Sequence, residues 1–332
     1  MPAACAWLFP GQGSQAVGMG RELYEHSAAA RRVLDLADSA LDLPLTRLLF
    51  EGPAEALQDT LNAQPAIVAV SLAALAALRE SWEAAQGEPL PRPAFVAGHS
   101  VGEYAALVAS GAADVETGLR LVRRRAELMQ AAGRERAGGM MAVLGLELEA
   151  VEAACGAARR EVPGSFVGVA NHNAATQVVI AGDPDGLAAA RQACLDGGAR
   201  RVLPLAVSAA FHSAAMLPAA GPLAAALAEA PLSDARVPLV ANVDARPLTA
   251  AGDLRRELSE QVARPVLWAD CLQRTISGGA TVFVEFGAGQ VLTGLVQRLA
   301  GDFDARAVGD AAAVEAAVPW LAARGPFDQA VA

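Results

Sequence analysis

Apolar and polar positions alternate in two ways along the first third of the chain. Two short apolar runs, residues 6–9 and 94–97, are bounded by proline or glycine and predict buried β-strands. Helical spacing of apolar residues between and after these runs predicts helices over residues 21–36, 53–57, 65–78 and 103–109. Because strands alternate with helices, we expect an α/β fold with a mostly parallel sheet.

The middle of the chain has a different order. Its apolar runs and helical patterns follow as strand 140–144, helix 149–160, strands 165–170 and 177–181, helix 185–197 and strand 201–207. This βαββαβ order is typical of a ferredoxin-like unit, and we expect such a subdomain over residues 136–207. A helix at 214–230 and strands at 239–241 and 281–286 then belong to the large domain again. The expected organisation is a large domain over 1–135 and 208–310, the subdomain, and an Ala-rich tail over 311–332.

Composition narrows the class of protein. Hydrophobic residues make up 54% of the 332 residues, enough for a sizeable core. The net charge of −10 argues against nucleic acid as the main partner. The four cysteines are scattered, so neither a disulfide framework nor a zinc site is expected. The apolar run 66–78 is too short to span a bilayer and predicts a buried helix. No signal-peptide pattern opens the chain, and we expect a soluble, cytoplasmic protein without a membrane partner.

The strongest chemical signal is the sequence Gly98-His99-Ser100-Val101-Gly102. It fits the G-x-S-x-G pattern of a nucleophile elbow, and it stands between a predicted strand and a predicted helix. In such a turn the serine Oγ is exposed, and the helix directs N–H groups towards a developing oxyanion. The pattern predicts Ser100 as a nucleophile and the large domain as α/β-hydrolase-like.

A serine nucleophile needs a base, and the chain has four histidines. His26 lies in a polar helical segment, and His99 lies within the elbow, where its side chain should point away from that of Ser100. His212 follows the return of the chain to the large domain, whereas His172 lies in the predicted subdomain. We favour His212 as the base and keep His172 as the alternative.

Several motifs occur together in one order and resemble the malonyl-CoA:acyl carrier protein transacylase family. That family includes the free-standing enzyme of bacterial fatty-acid synthesis and the acyltransferase domains of polyketide synthases. The resemblance covers roughly residues 5–305. It is carried by GQGSQ at 11–15, GHSVGE at 98–103, Arg125 in LVRRRAE, Phe211-His212, and Gln261 in QVARPVLW.

The resemblance implies a Ser-His dyad. Ser100 would carry the acyl group as an ester, and His212 would be its base. Gln261 occupies the position whose backbone carbonyl orients the histidine, and no acid stands out as a third member. The backbone N–H groups of Gln12 and Val101 would form the oxyanion hole.

Two further positions bear on the choice of acyl group. From spacing alone we cannot choose among Arg123, Arg124 and Arg125, and a run of arginines is usually a solvated helix face. The family pattern matches Arg125, whose planar fork would bind the free carboxylate of a malonyl group. Phe211 matches a selectivity position, where a bulky ring leaves little room for an α-methyl branch and favours malonyl over methylmalonyl.

Five polar residues have alternative interpretations. Asn171 and Asn173, with Gln177, match a polar stretch that lines the family's cleft, although capping of a turn is an equally good interpretation. Glu103 lies in the first turn of its helix, where interaction with the helix N-terminus is the preferred interpretation. His99 is interpreted as a packing or hydrogen-bonding residue.

The implied reaction is a ping-pong transfer of malonyl from malonyl-CoA to the phosphopantetheine thiol of holo acyl carrier protein. The resemblance implies no tightly bound cofactor or metal, and a monomer. The segments around Arg134–Arg136 and Arg200-Arg201 are candidates for contact with the acidic carrier protein. Within the family, the chain could instead serve a polyketide synthase or a malonate decarboxylase. From other classes, a serine thioesterase or esterase and an inactive scaffold are the alternatives.

Overall fold

The computed structural model describes residues 4–299 and 301–324 and has a mixed α/β architecture. In these ranges the strands are β1 (Ala4–Phe9), β2 (Phe95–Gly98), β3 (Gly139–Leu144), β4 (Val167–Ala174), β5 (Gln177–Gly182), β6 (Arg201–Pro204), β7 (Leu239–Val240), β8 (Pro247–Leu248), β9 (Ala280–Phe286) and β10 (Asp304–Val308). The helices are α1 (Arg21–His26), α2 (Ala28–Leu41), α3 (Leu45–Glu51), α4 (Ala54–Gln58), α5 (Thr60–Gln86), α6 (Gly102–Ala109), α7 (Val115–Glu135), α8 (Leu148–Glu161), α9 (Pro184–Asp196), α10 (Leu217–Glu229), α11 (Ala251–Glu260), α12 (Trp268–Ser277), α13 (Val291–Val296) and α14 (Ala311–Ala322).

A six-stranded main sheet has the order β10-β9-β1-β2-β7-β8. All neighbours in it are parallel except β7 and β8, so the prediction of a mainly parallel sheet is confirmed. β1 is almost fully buried because both faces of the sheet are covered. Its carboxyl end and that of β2 lie side by side, with Phe9 paired to Gly98, and this edge positions the site described below.

A second sheet of four strands has the order β4-β5-β3-β6, and all its neighbours are antiparallel. Helices α8 and α9 pack on it over a separate apolar cluster that includes Val143, Val178 and Ile180. The second sheet meets the large body through β4. There Val266 donates a backbone hydrogen bond to Ala170 O, and His172 N donates one to Val266 O, each 2.9 Å long.

Helix α5 is longer than the sequence suggested, with 27 residues from Thr60 to Gln86. It is long and apolar enough to cross a membrane by length and composition, but 83% of its most apolar window is buried inside the structure. The apolar spacing predicts a helix only over residues 65–78. The helix instead begins five residues earlier, where the Asp59 side chain caps Leu61 N, so Pro65 lies inside it.

Two other expectations differ from the structure. The single helix expected over 21–36 is split at Ser27, whose extended backbone and side-chain bond to Ala30 N make it the N-cap of α2. The Ala-rich tail expected from residue 311 begins as helix α14, with Val314 and Leu321 buried and Asp310 as its N-cap. Residues 325–332 of that expected tail lie outside the described residues.

Candidate active site

Ser100 stands on a sharp turn between β2 and α6, with a φ of +52°. The flanking glycines are required by contact distances. A Cβ atom on Gly98 would lie 2.0 Å from the carbonyl carbon of Gly102, and a Cβ atom on Gly102 would lie 2.2 Å from the backbone oxygen of Phe9. No side chain fits at either position, and the turn therefore presents Ser100 at the carboxyl end of the main sheet.

His212 is the histidine at Ser100. Its Nε2 lies 2.6 Å from Ser100 Oγ, and its Nδ1 lies 2.9 Å from the backbone oxygen of Gln261 and 3.2 Å from that of Arg264. Carbonyl oxygens only accept, so Nδ1 carries the hydrogen and Nε2 is free to accept the serine proton. Burial, and secondly the charge of Arg125, lowers the pKa of His212 to about 3. The imidazole is therefore neutral near pH 7.

The alternative base is far less well placed. His172 Nδ1 lies 3.4 Å from Asp270 Oδ2 in α12 and does not line the cleft around Ser100. His26 is exposed on α1, with Nδ1 2.9 Å from Glu22 O.

Of the three adjacent arginines, Arg125 reaches the site. Its side chain is 1% exposed, and its Nη2 donates to Ser100 Oγ at 3.1 Å and to Gln261 Oε1 at 2.9 Å. Its Nη1 donates to Gln64 Oε1 at 2.5 Å. Burial lowers the pKa of this guanidinium. Arg123 and Arg124 both turn towards Glu127 on the surface of α7.

A cleft of about 130 Å³ opens above Ser100 between the main sheet and the second sheet. Gln12 and Phe211 line it, and Phe211 is otherwise buried. Val101, also buried, begins the turn into α6. Within residues 4–299 and 301–324, neither the Gln12 nor the Val101 backbone N–H donates a hydrogen bond to another backbone group.

Comparison with known proteins gives a consistent result. Residues 6–318 match the acyl transferase domain family. The chain belongs to this family. A malonyl CoA-acyl carrier protein transacylase of Bacillus subtilis (strain 168) is 41% identical over 316 residues, which cover 95% of this chain and 96% of that protein.

Solved structures agree with the sequence relatives. An acyl carrier protein S-malonyltransferase from Vibrio cholerae superposes with a TM-score of 0.87 at 39% identity, covering 95% of this chain and 100% of that one. A malonyl-transacylase in complex with a holo type II PKS acyl-carrier protein has a TM-score of 0.88 at 36% identity, covering 96% and 99%.

The second sheet brings two asparagines to the cleft of this acyl transferase. Asn171 is buried and lines the cleft. Asn173 Oδ1 lies 2.8 Å from His99 Nε2, so it joins the second sheet to the elbow. His99 also packs against Trp268, with the two ring centroids 5.4 Å apart. Its hydrogen-bonding and packing interpretation is thus supported by direct contacts.

Glu103 behaves differently from the sequence expectation. It lies in the first turn of α6, but its fully buried carboxylate binds groups from elsewhere in the chain. Asn242 N donates to Oε1 at 2.7 Å, and Gln261 Nε2 donates to Oε2 at 2.6 Å. The helix N-terminus is therefore not its main partner.

Two residues at the site were missed in the sequence. Asn242 holds the elbow, since its Oδ1 accepts from Ser100 N at 2.7 Å and its Nδ2 donates to Gly98 O at 2.8 Å. Gln64 holds Arg125, as described above. Both carried a signal: Asn242 directly follows a predicted strand, and Gln64 immediately precedes a strongly apolar helical run.

Proposed function

We propose that this acyl transferase moves a malonyl group from malonyl-CoA to the phosphopantetheine thiol of holo acyl carrier protein. The observation that carries the proposal is the meeting of three groups in one cleft. A serine hydroxyl lies 2.6 Å from a neutral imidazole and 3.1 Å from a buried guanidinium. The names of the relatives, and the complex of one of them with a carrier protein, support the donor and the acceptor.

The first half-reaction acylates Ser100. Its Oγ attacks the thioester carbonyl carbon while His212 Nε2 takes the hydroxyl proton. The C–S bond then breaks, and the imidazolium returns that proton to the leaving thiolate of CoA. The backbone oxygen of Gln261, 2.9 Å from Nδ1, stabilises the imidazolium in the place of an acidic third residue.

The second half-reaction runs in reverse. The phosphopantetheine thiol gives its proton to His212 and attacks the ester carbonyl, and Ser100 Oγ leaves with the proton from the imidazolium. In both halves the N–H groups of Gln12 and Val101 hold the oxyanion. Their lack of backbone acceptors among the described residues supports this role.

Arg125 binds the free carboxylate of the malonyl group in this proposal. Its Nη2, which donates to Ser100 Oγ without substrate, can donate to a carboxylate oxygen next to the reacting ester. Phe211 borders the same cleft and limits the room for an α-methyl branch. The expected preference is therefore malonyl over methylmalonyl, worth about 1–3 kcal/mol.

The finer organisation is also part of the proposal. Residues 136–207 form a ferredoxin-like subdomain inserted into an α/β-hydrolase-like large domain of residues 1–135 and 208–310. The sheet order β4-β5-β3-β6 and the two helices packed on that sheet support it. We further propose a cytoplasmic monomer without a tightly bound cofactor. Carrier proteins of fatty-acid synthesis are the first candidate acceptors, and the complex with a type II PKS acyl-carrier protein supports a polyketide carrier as the second.

The test is intact-mass measurement of the protein after malonyl-CoA and again after added holo carrier protein. We expect a malonyl adduct that the carrier protein removes, and no adduct on Ser100→Ala, whose transfer rate should fall by at least about 1,000-fold. An adduct of undiminished yield on Ser100→Ala contradicts the assignment. Rapid release of free malonate without carrier protein supports a hydrolase instead.

A further inference from the structure

Glu103 is a buried carboxylate from which two hydrogen-bonded connections lead to the reacting groups. Its side chain is 0% exposed, and each of its two oxygens accepts one N–H group. The donors, Asn242 and Gln261, come from segments far away along the chain. Both donors are themselves fully buried.

The first connection runs to the nucleophile. Oε1 of Glu103 accepts the backbone N–H of Asn242, and the side chain of Asn242 binds Ser100 N and Gly98 O on either side of the elbow. The strained backbone of Ser100, with φ at +52°, is therefore held by a side chain that Glu103 places.

The second connection runs to the guanidinium. Arginine only donates hydrogen bonds, so the Gln261 side-chain atom that faces Arg125 Nη2 at 2.9 Å is the oxygen. The Gln261 amide nitrogen must then face Ser100 O, at 2.8 Å, and Glu103 Oε2, at 2.6 Å. Both oxygens of Glu103 thus accept hydrogen bonds, as those of an ionised carboxylate do. Glu103 therefore favours the same orientation of the Gln261 amide that Arg125 requires.

We propose that Glu103 is a positioning residue for the transfer, and that it holds Ser100 through Asn242 and Arg125 through Gln261. This rests on the proposed function and assigns the carboxylate a part in both acylation and the choice of acyl group. Burial, and next the charge of Glu257, raises the pKa of Glu103, while the two N–H donors and Arg125 oppose the rise.

The deciding variant is Glu103→Gln. A glutamine that accepts from Asn242 N must present its NH2 to Gln261, which then has to rotate and present its own NH2 to Arg125. Donor would face donor, and Arg125 would lose an acceptor. We expect kcat/KM for malonyl-CoA to fall by about 30-fold, and the preference for malonyl-CoA over acetyl-CoA to narrow by about tenfold.

Glu285→Gln is the matched control. Glu285 in β9 is also a fully buried carboxylate, and its two oxygens accept N–H groups of α13, Leu292 N at 3.1 Å and Thr293 N at 2.7 Å, rather than groups around Ser100. We expect this variant to keep kcat/KM and the acyl preference within about threefold of the parent protein. Equal effects of Glu103→Gln and Glu285→Gln, or an unchanged acyl preference in Glu103→Gln, overturn the proposal.

A second variant covers the case in which Glu103→Gln does not fold, as judged by thermal melting. Asn242→Asp places an oxygen against Gly98 O, which disturbs the elbow, and it leaves in place the bond between Arg125 and the Gln261 oxygen. We expect it to slow acylation by malonyl-CoA and acetyl-CoA equally, by about tenfold, without a change in preference. Unchanged acylation overturns the proposal. If the parent protein itself forms no malonyl adduct, the proposed function fails, and the inference fails with it.

Discussion

The two walls of the cleft are built in different ways. The wall from the main sheet carries side chains joined to one another by hydrogen bonds: Ser100, His212, Arg125, Gln261, Asn242 and Glu103. The wall from the second sheet contributes Asn171, Asn173 and Val179, and its side-chain link to the elbow is the bond between Asn173 and His99. We therefore assign the proposed chemistry to the interlocked wall, and we propose that the second wall shapes the space for the acyl group.

The largest expected effect on transfer activity is that of removing the Arg125 side chain from the interlocked wall. In Arg125→Ala the malonyl carboxylate loses its charged partner, and we expect kcat/KM for malonyl-CoA to fall by about 100-fold or more, with a much smaller loss for acetyl-CoA. Steady-state transfer assays with both donors measure it. Arg124→Ala, which removes an exposed partner of Glu127, is the control. Equal losses for the two donors in Arg125→Ala would contradict its role as carboxylate clamp.

A substitution of Phe211 tests whether the choice of acyl group depends on the side of the cleft that carries His212. Phe211→Leu opens space beside His212, so the ratio of methylmalonyl-CoA to malonyl-CoA turnover should rise by about tenfold. Competition between the two donors, read by the mass of the adduct, measures that ratio. An unchanged ratio would assign the selectivity to the second wall instead.

Asn173 tests the second wall directly. Asn173→Ala removes the bond to His99, and we expect KM for malonyl-CoA to rise by about threefold with kcat almost unchanged. Gln177→Ala is a control from the same sheet, because its partner Arg298 lies on the surface. A loss in Asn173→Ala as large as that in Arg125→Ala would remove the distinction between the walls.

The smallest expected effect is that of pH. Burial lowers the pKa of His212 to about 3, so the imidazole is neutral, and able to accept a proton, throughout pH 5 to 8. The kcat/KM for acylation should therefore change by less than about twofold over that range, and fall only as the pH approaches 3. A midpoint near pH 6.5 in stopped-flow acylation rates would show that His212 is more solvated than its burial implies.

Much of the architecture was predictable because it depends on local signals. Residues 94–97 and GHSVG predicted a strand and a turn, and β2 and the elbow lie there. The end of the chain was interpreted as an Ala-rich tail, although alanine favours helices and Asp310 caps one there, and α14, which packs against α5, was missed. The residues of the site also differ in whether a local sequence signal identified them. Motifs indicated Ser100 and His212, whereas spacing could not separate Arg125 from its neighbours, since only the direction of each side chain distinguishes them.

Glu103 and Asn242 show what a linear pattern omits. Neither residue type is unusual at its position in the sequence. The structural role of each follows from the hydrogen bond between them, which joins residues 139 positions apart. No local periodicity reports such a contact.

The join between β4 and Val266 limits how the cleft can widen. Val266 donates one main-chain hydrogen bond to Ala170 and accepts one from His172, so a rotation of β4 away from Val266 must break both bonds. The opposite edge of this sheet is joined to the same body by the chain itself, because β3 follows α7 and β6 leads back towards His212. The second sheet is therefore held at both edges, and widening of the cleft must distort one of these connections.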